Sequence, residues 1–91
     1  MSTDSLGLYD SASGETLLPI HVADVSAEFG EPAKLVYAQA ERGALVQVQR
    51  GCARTHYFYN EPHGEKMIRE DAGRWGMTPD ALMALVRRHA I

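Results

Sequence analysis

Residues 29–45, with the sequence FGEPAKLVYAQAERGAL, decide how the fold of this chain is interpreted. Pro32 stands where the first turn of a helix tolerates a missing N–H, and Gly43 stands where a helix can end in a left-handed cap. The apolar residues that share one stripe between them, at spacings of three and four, are Ala33, Val36, Tyr37 and Ala40. This punctuation and spacing predict a helix over about 32–42 that packs on a small core.

The segments on either side predict a second helix and a β-hairpin. Apolar residues at helical spacing indicate a helix over about 22–29, which Gly30 ends. Beyond residue 43 the period changes to strict alternation, and a second aromatic and β-branched run follows it. Residues 44–60 therefore predict a β-hairpin whose tip carries Arg50 and Arg54.

Two helices are predicted at the C-terminal end of the sequence. The first covers about 64–75 and is weakened by the interior Gly73. The second begins at Thr78, which can cap its N-terminus, with Pro79 in its first turn. The stripe of this last helix, which belongs either to the core or to a homodimer interface, consists of Leu82, Leu85, Val86 and His89.

Length and composition predict one domain. The chain has 91 residues, of which 45% are hydrophobic, so a single domain over 15–91 is expected behind a flexible, Ser-, Asp- and Gly-rich N-terminus over 1–14. Pro19 limits the run 16–20 to a short edge strand. No apolar run approaches the ~20 residues needed to cross a bilayer, and no secretory leader opens the chain. We therefore expect a cytoplasmic protein that is not inserted in a membrane.

The charge is distributed unevenly, although its sum is only −3. Through Ala33 the chain has six acidic residues and no Lys or Arg, whereas from Lys34 onward it has nine basic and six acidic residues, which gives +3. An overall negative charge argues against a nucleic-acid partner. The asymmetry nevertheless permits a basic face on the second part of the chain.

No pattern in the sequence indicates catalysis or a cofactor. The four histidines and the single cysteine, Cys52, do not fall at the paired spacings of zinc motifs, and there is no Gly-rich phosphate loop. Cys52 with His56 or His63 is a conceivable nucleophilic pair, but a cysteine in a Gly-Cys-Ala turn is more simply a tolerated small residue. We expect a protein that is not an enzyme and that holds no metal or cofactor.

The predicted order of helix, turn, helix and hairpin is that of a small α+β winged helix-turn-helix domain with a β-hairpin wing and additional C-terminal helices. Over about 22–60 the chain resembles the excisionase and MerR-like winged helix domains. The residues that carry the resemblance are Gly30, the pair Val36-Tyr37, the run Gly43-Ala44-Leu45, and Val22-Ala23-Asp24-Val25 in the first helix.

The resemblance implies a small DNA-binding regulator or architectural protein of the phage or mobile-element type. Its second helix would enter the major groove of double-stranded DNA, and its wing would contact phosphates. One module with few cations binds weakly, so a dimer or a side-by-side array is expected. The implied DNA-binding residues are Lys34, Gln39, Arg42, Arg50, Arg54 and His56.

The sequence also supports an alternative of another class, a protein-binding inhibitor or adaptor that has a winged-helix-like fold and an acidic surface. The net charge and the alanines on the predicted second helix favour it, since an acidic protein can occupy a partner's basic site. A continuous basic stripe along the second helix and the wing would support DNA binding. Interruption of that stripe by Glu31 and Glu41 would support a protein partner.

Overall fold

The computed structural model describes residues 8–10, 15–41 and 43–90 and forms a small α+β fold. In chain order, the elements are β1 (Leu8–Asp10), β2 (Glu15–Leu17), β3 (His21–Asp24), α1 (Ser26–Phe29), β4 (Ala33–Gln39), β5 (Ala44–Arg50), β6 (Ala53–Phe58), α2 (Pro62–Asp71), a 3-10 helix (Ala72–Trp75) and α3 (Pro79–His89). The flexible N-terminus predicted over 1–14 falls largely outside the described residues, and within it Leu8–Asp10 pairs with Glu15–Leu17.

The main sheet is an antiparallel meander with the strand order β3-β4-β5-β6. Helices α2 and α3 and the 3-10 helix cover one of its faces, which we call the helix-covered face. The fully buried residues that the sheet contributes to this core include Leu35, Tyr37, Val46 and Val48. The helices contribute Ile68, Ala72, Leu82 and Val86, each with no exposed surface.

The other face of the sheet, which we call the outer face, carries a smaller apolar cluster at one end. Leu17 of β2 packs there with four buried residues of the main sheet and its β4–β5 connection: Val36, Ala38, Ala40 and Leu45. Strand β4 is therefore buried on both faces along its middle. Such a strand shows a continuous apolar run instead of an alternating one.

The helix predicted over 32–42 is wrong, because Ala33–Gln39 is the strand β4, hydrogen-bonded between β3 and β5. Leu35 to Ala38 is an uninterrupted apolar run with two β-favouring residues, Val36 and Tyr37, and periodicity alone cannot separate such a run from a buried helix. Pro32 precedes the strand. Gly43 lies in the β4–β5 turn, where its carbonyl accepts the Ala40 N–H at 2.9 Å, and it caps no helix.

The helix predicted over 22–29 is also wrong over its first half. His21–Asp24 is β3, and only Ser26–Phe29 forms the short α1. The predicted stop at Gly30 is confirmed, since this residue ends α1 in the left-handed region with φ of 73°. With β3 and β4 in place of two helices, residues 22–41 form no helix-turn-helix.

The predicted hairpin over 44–60 is confirmed by β5 and β6. Its two-residue turn has Gly51 at a φ of 60° followed by Cys52 at negative φ, which is the arrangement of a type II′ turn. The predicted edge strand over 16–20 is confirmed only in part, because β2 ends at Leu17, before Pro19.

The predicted C-terminal helices are confirmed with shifted bounds. The helix expected over 64–75 is α2 from Pro62 to Asp71, continued by the 3-10 helix. The Thr78 cap is present, with its hydroxyl accepting the Ala81 N–H at 3.2 Å. The apolar stripe of α3 packs in the core of the single chain, so it offers no surface for the predicted homodimer.

Candidate binding surfaces

One edge of the main sheet, along β3, has no neighbouring strand among the described residues. Just after β3, the Val25 N–H donates a hydrogen bond to the Ala33 carbonyl at 3.1 Å. Hydrogen-bonded pairs recur at every second residue of an antiparallel ladder, so the odd-numbered residues of β3 bond to β4. In an antiparallel ladder the intervening residues direct their N–H and C=O groups to the other side. Val22 and Asp24 therefore present backbone donors and acceptors outward.

Three apolar side chains stand exposed on β3 or in the segment that leads into it. Leu18 is 77% exposed, Ile20 is 59% exposed and Val22 is 40% exposed. We call Leu18, Ile20 and Val22 the edge patch. Single exposed apolar side chains are ordinary at a protein surface, but three of them at alternate positions leading into an open sheet edge are typical of an interaction site.

Asp24 adds a fixed negative charge at the end of the same edge. Its carboxylate accepts hydrogen bonds from the Ser26 backbone N–H at 2.9 Å and from the Ser26 hydroxyl at 2.6 Å. These two bonds lower the pKa of the Asp24 carboxyl, and the nearby Lys34 acts in the same direction. Asp24 is consequently ionised at neutral pH.

The opposite edge of the sheet, along β6, is built differently. The residues whose backbone groups face away from β5 include Arg54 and His56, and charged or polar side chains on an edge strand discourage pairing with another strand. At the end of β6, Gly64 of α2 lies so close that a Cβ placed there would overlap the carbonyl oxygen of Phe58. This edge is therefore protected by polar side chains and by the start of α2.

Three of the residues predicted to bind DNA, Lys34, Arg54 and His56, lie together on the outer face of the sheet. Lys34 of β4 stands opposite Gln49 of β5, which stands opposite Arg54 of β6. We call Lys34, Gln49 and Arg54 the polar row. His56 occupies the next row, opposite the buried Gln47, whose side-chain oxygen accepts a hydrogen bond from Gln49 at 2.5 Å.

The other predicted DNA-binding residues do not join this group. Arg50 alternates to the helix-covered face, where it forms an ion pair with Glu31 and lies 5.9 Å from the ring centroid of Phe29. Gln39 lies at the end of β4 and donates a hydrogen bond to the Ala40 carbonyl at 3.1 Å. Arg42 lies outside the described residues.

Most arginines of the described surface face acidic side chains. The additional ion pairs are Arg69 with Glu65 and Asp80, Arg74 with Asp71, Arg87 with Glu65, and Arg88 with Glu28. The cations of the second half of the chain are thus interrupted by acids, and Glu31 is one of those acids. No continuous basic stripe runs across residues 15–41 and 43–90.

The largest pKa shifts among the described residues belong to two tyrosines of the core, Tyr37 and Tyr57. Tyr57 donates to the Asp71 carboxylate at 2.6 Å and accepts the Trp75 indole N–H at 3.1 Å. Burial, together with the hydrogen bond to Asp71, raises the pKa of Tyr57 to about 12. Burial likewise raises the pKa of Tyr37, whose hydroxyl donates to the Val86 carbonyl at 2.6 Å. These bonds join β4 and β6 to the helices and are structural.

The described residues include no group of three His, Cys, Asp or Glu placed to hold a metal ion. Cys52 lies exposed in the hairpin turn. No helix in the described part of the chain combines the length and apolar character needed to cross a membrane.

The edge patch is not predicted from the sequence, because Val22 falls within the helix predicted over 22–29. The available signal was the apolar run that surrounds Pro19 in TLLPIHV, since a proline next to a strand usually marks an edge.

Searches of family models, curated proteins and solved structures found no match for this chain.

Proposed function

We propose that this protein is a non-enzymatic protein-binding module, an adaptor or inhibitor that engages its partner through the edge patch. The observation that carries the proposal is the exposure of Leu18, Ile20 and Val22 beside an open sheet edge. Removing such apolar surface from water is favourable by roughly 25 cal/mol per Å², from which the entropy cost of association is subtracted. A partner also satisfies the outward backbone groups of β3 without any change in the fold.

The charges support a protein partner over a nucleic acid. Through Ala33 the chain carries six acids and no Lys or Arg, and the edge lies in this region. Arg50, which was predicted to contact phosphate, is instead paired with Glu31. Phosphate binding depends on clustered cations that remain available to the ligand, and paired arginines contribute less to it.

The proposal is tested by comparing two variants with the wild-type protein. The double variant Leu18→Ser/Ile20→Ser removes most of the edge patch. Met67→Ser is the matched control, because Met67 is 40% exposed but lies on α2. Each tagged protein is chemically cross-linked in extracts of its source cells, and its fold is checked by circular dichroism.

We expect wild type and Met67→Ser to cross-link to the same protein, and the patch variant to lose it. If all three proteins capture the same set in the same amounts, or if Met67→Ser alone loses the partner, the edge patch is not the binding surface.

Nucleic-acid binding is the second candidate, and the polar row favours it. Lys34 and Arg54 lie two strands apart, which corresponds to roughly 10 Å, with the Gln49 amide between them. A sheet face that carries these groups offers contacts to the backbone of DNA or RNA, beside the acid Asp24 that stands opposite Lys34. The winged-helix mode of DNA binding is not proposed, because residues 33–39 form β4 and supply no helix for the major groove.

This candidate predicts salt-sensitive binding to random duplex DNA that Lys34→Ala/Arg54→Ala abolishes. The matched control is Lys66→Ala, which removes an exposed cation from α2. Binding is measured by fluorescence anisotropy at low salt and again at ~200 mM salt. Absence of binding at low salt, or equal loss in Lys66→Ala, would eliminate the polar row as a phosphate-binding surface.

A further inference from the structure

We propose that the partner adds an extended segment to β3 as a fifth strand of the main sheet, antiparallel to it, with a Lys or Arg opposite Asp24 and an apolar β-branched residue opposite Val22. This inference rests on the proposed protein-binding function and specifies its mode. In the N- to C-terminal direction, the partner segment has a basic residue, then any residue, then an apolar residue; we call this the basic-x-apolar pattern.

The backbone of β3 supports strand addition. The N–H and C=O groups of Val22 and Asp24 face outward and have no backbone partner among the described residues. An added strand makes hydrogen bonds to these groups, which supply affinity, while alternate side chains supply specificity. Every neighbouring pair in the main sheet is antiparallel, so an antiparallel addition continues the existing ladder.

The side chains define what the added strand must carry. Val22 and Asp24 both project on the outer face, and residues placed opposite them project on the same face. Directly opposed residues interact, so the ionised Asp24, which has Lys34 of β4 as its neighbour on the other side, selects a cation on the added strand. The half-exposed Val22 selects an apolar side chain. The exposed Ile20 extends the apolar contact beyond the two-residue ladder.

A second copy of this chain does not meet these requirements. In antiparallel self-pairing the outward-facing residues of the two copies oppose one another, and each such register puts Asp24 against another Asp24, against Val22, or against the segment 18–20. The segment 18–20 consists of Leu, Pro and Ile, so no antiparallel register offers Asp24 a cation from the second copy. Charge complementarity therefore assigns the edge to a different chain.

The test uses a display library of short random peptides as the probe and the full-length protein as bait. We expect the retained peptides to share the basic-x-apolar pattern. Substituting Glu for the basic residue of a retained peptide should weaken binding about two- to tenfold, because an attractive cross-strand pair becomes repulsive. In Asp24→Asn, which keeps an acceptor for the Ser26 N–H, this preference for the basic peptide should disappear.

Two measurements test the backbone bonds directly. Val22→Pro removes an outward N–H, a substitution that edge strands tolerate, and it should abolish peptide binding, whereas Val22→Thr, which keeps the N–H, should retain it. Addition of a retained peptide to wild type should slow hydrogen exchange at the amides of Val22 and Asp24. This second measurement stands even if Val22→Pro does not fold.

Strand addition is overturned if retained peptides lack the pattern, if no peptide is retained, or if exchange at Val22 and Asp24 is unchanged on binding. The cross-linking experiment separates these failures from failure of the proposed function. A partner that is lost in Leu18→Ser/Ile20→Ser but kept in Val22→Pro would uphold protein binding by the edge patch and reject strand addition.

Discussion

Replacing Tyr37 by Phe tests how the central strand is fixed to the last helix. The Tyr37 side chain is 1% exposed, and its hydroxyl donates to the Val86 carbonyl at 2.6 Å. Val86 lies in the last turn of α3, where carbonyls lack an intrahelical partner. Phe keeps the ring but leaves this buried oxygen without its hydrogen bond, which costs about 1–3 kcal/mol.

That loss is large compared with the total stability of a chain of this size, which is about 5–14 kcal/mol at the usual stability per residue. Urea denaturation followed by circular dichroism should show a lower midpoint with an unchanged slope, and the melting temperature should fall by about 4–8 °C per kcal/mol.

Tyr59→Phe is the matched control for this measurement. The Tyr59 ring packs edge-on against Tyr37 with centroids 5.6 Å apart, but no hydrogen bond of its hydroxyl is seen among the described residues. It should therefore lose less than about 0.5 kcal/mol, as expected for a change that breaks no buried bond. If the two variants lose the same free energy of unfolding, the bond from β4 to α3 does not carry the stability assigned to it.

Three further predictions concern the packing of the helices on the sheet. Because the pKa of Tyr57 is raised, the folded protein keeps the phenolic proton to a higher pH than the unfolded chain does. The associated stability, about 2–3 kcal/mol, should be present below pH ~10 and lost between pH ~10 and ~12. When the free energy of unfolding is measured as a function of pH, Tyr57→Phe should show less of this loss. Gly64→Ala should lower the free energy of unfolding, measured by urea denaturation, by about 2 kcal/mol or more, because the new Cβ would overlap the Phe58 carbonyl. Gly73→Ala is its control: the new Cβ meets no atom within 4 Å, so this variant should be neutral or slightly stabilising. Thr78→Ala should lower the thermal stability by about 1 kcal/mol through loss of the helix cap, and Thr78→Ser should restore most of it.

The sequence predicts the second half of this fold well because local rules dominate there. Alternation in Val46 to Gln49, the turn at Gly51 and the Thr78 cap each act over a few residues, and the hairpin and α3 form as expected. These elements have one face toward the core and one toward solvent. That division produces the periodic patterns from which secondary structure can be read.

The first half could not be predicted in the same way because tertiary burial removes its periodicity. Strand β4 is covered by helices on one face and by Leu17 on the other, so Leu35 to Ala38 appear as one apolar run. The pairing that makes this run a strand involves β3 and β5, and no local pattern specifies it. The same error concealed the edge patch, since Val22 falls within the helix predicted over 22–29.

The predicted site residues show a related division. Lys34, Arg54 and His56 do come together, but through strand register and not along a helix and a wing. Arg50 follows Gln49 by one residue and therefore projects on the opposite face, where it pairs with Glu31. Side-chain direction alternates along a strand, so Arg50 and Arg54, which were expected to act together at the hairpin tip, lie on opposite faces of the sheet.

The placement of Asp24 connects resistance to self-association with the proposed choice of partner. An open edge with apolar side chains invites pairing between copies, and proteins prevent this by short edge strands and by charge. Strand β3 has four residues, and in every antiparallel self-pairing register Asp24 faces an acid or an apolar side chain of the second copy. The feature that disfavours self-association is therefore the same one that a basic partner would neutralise. Since the Ser26 bonds keep this carboxylate ionised, the selection operates throughout the neutral pH range.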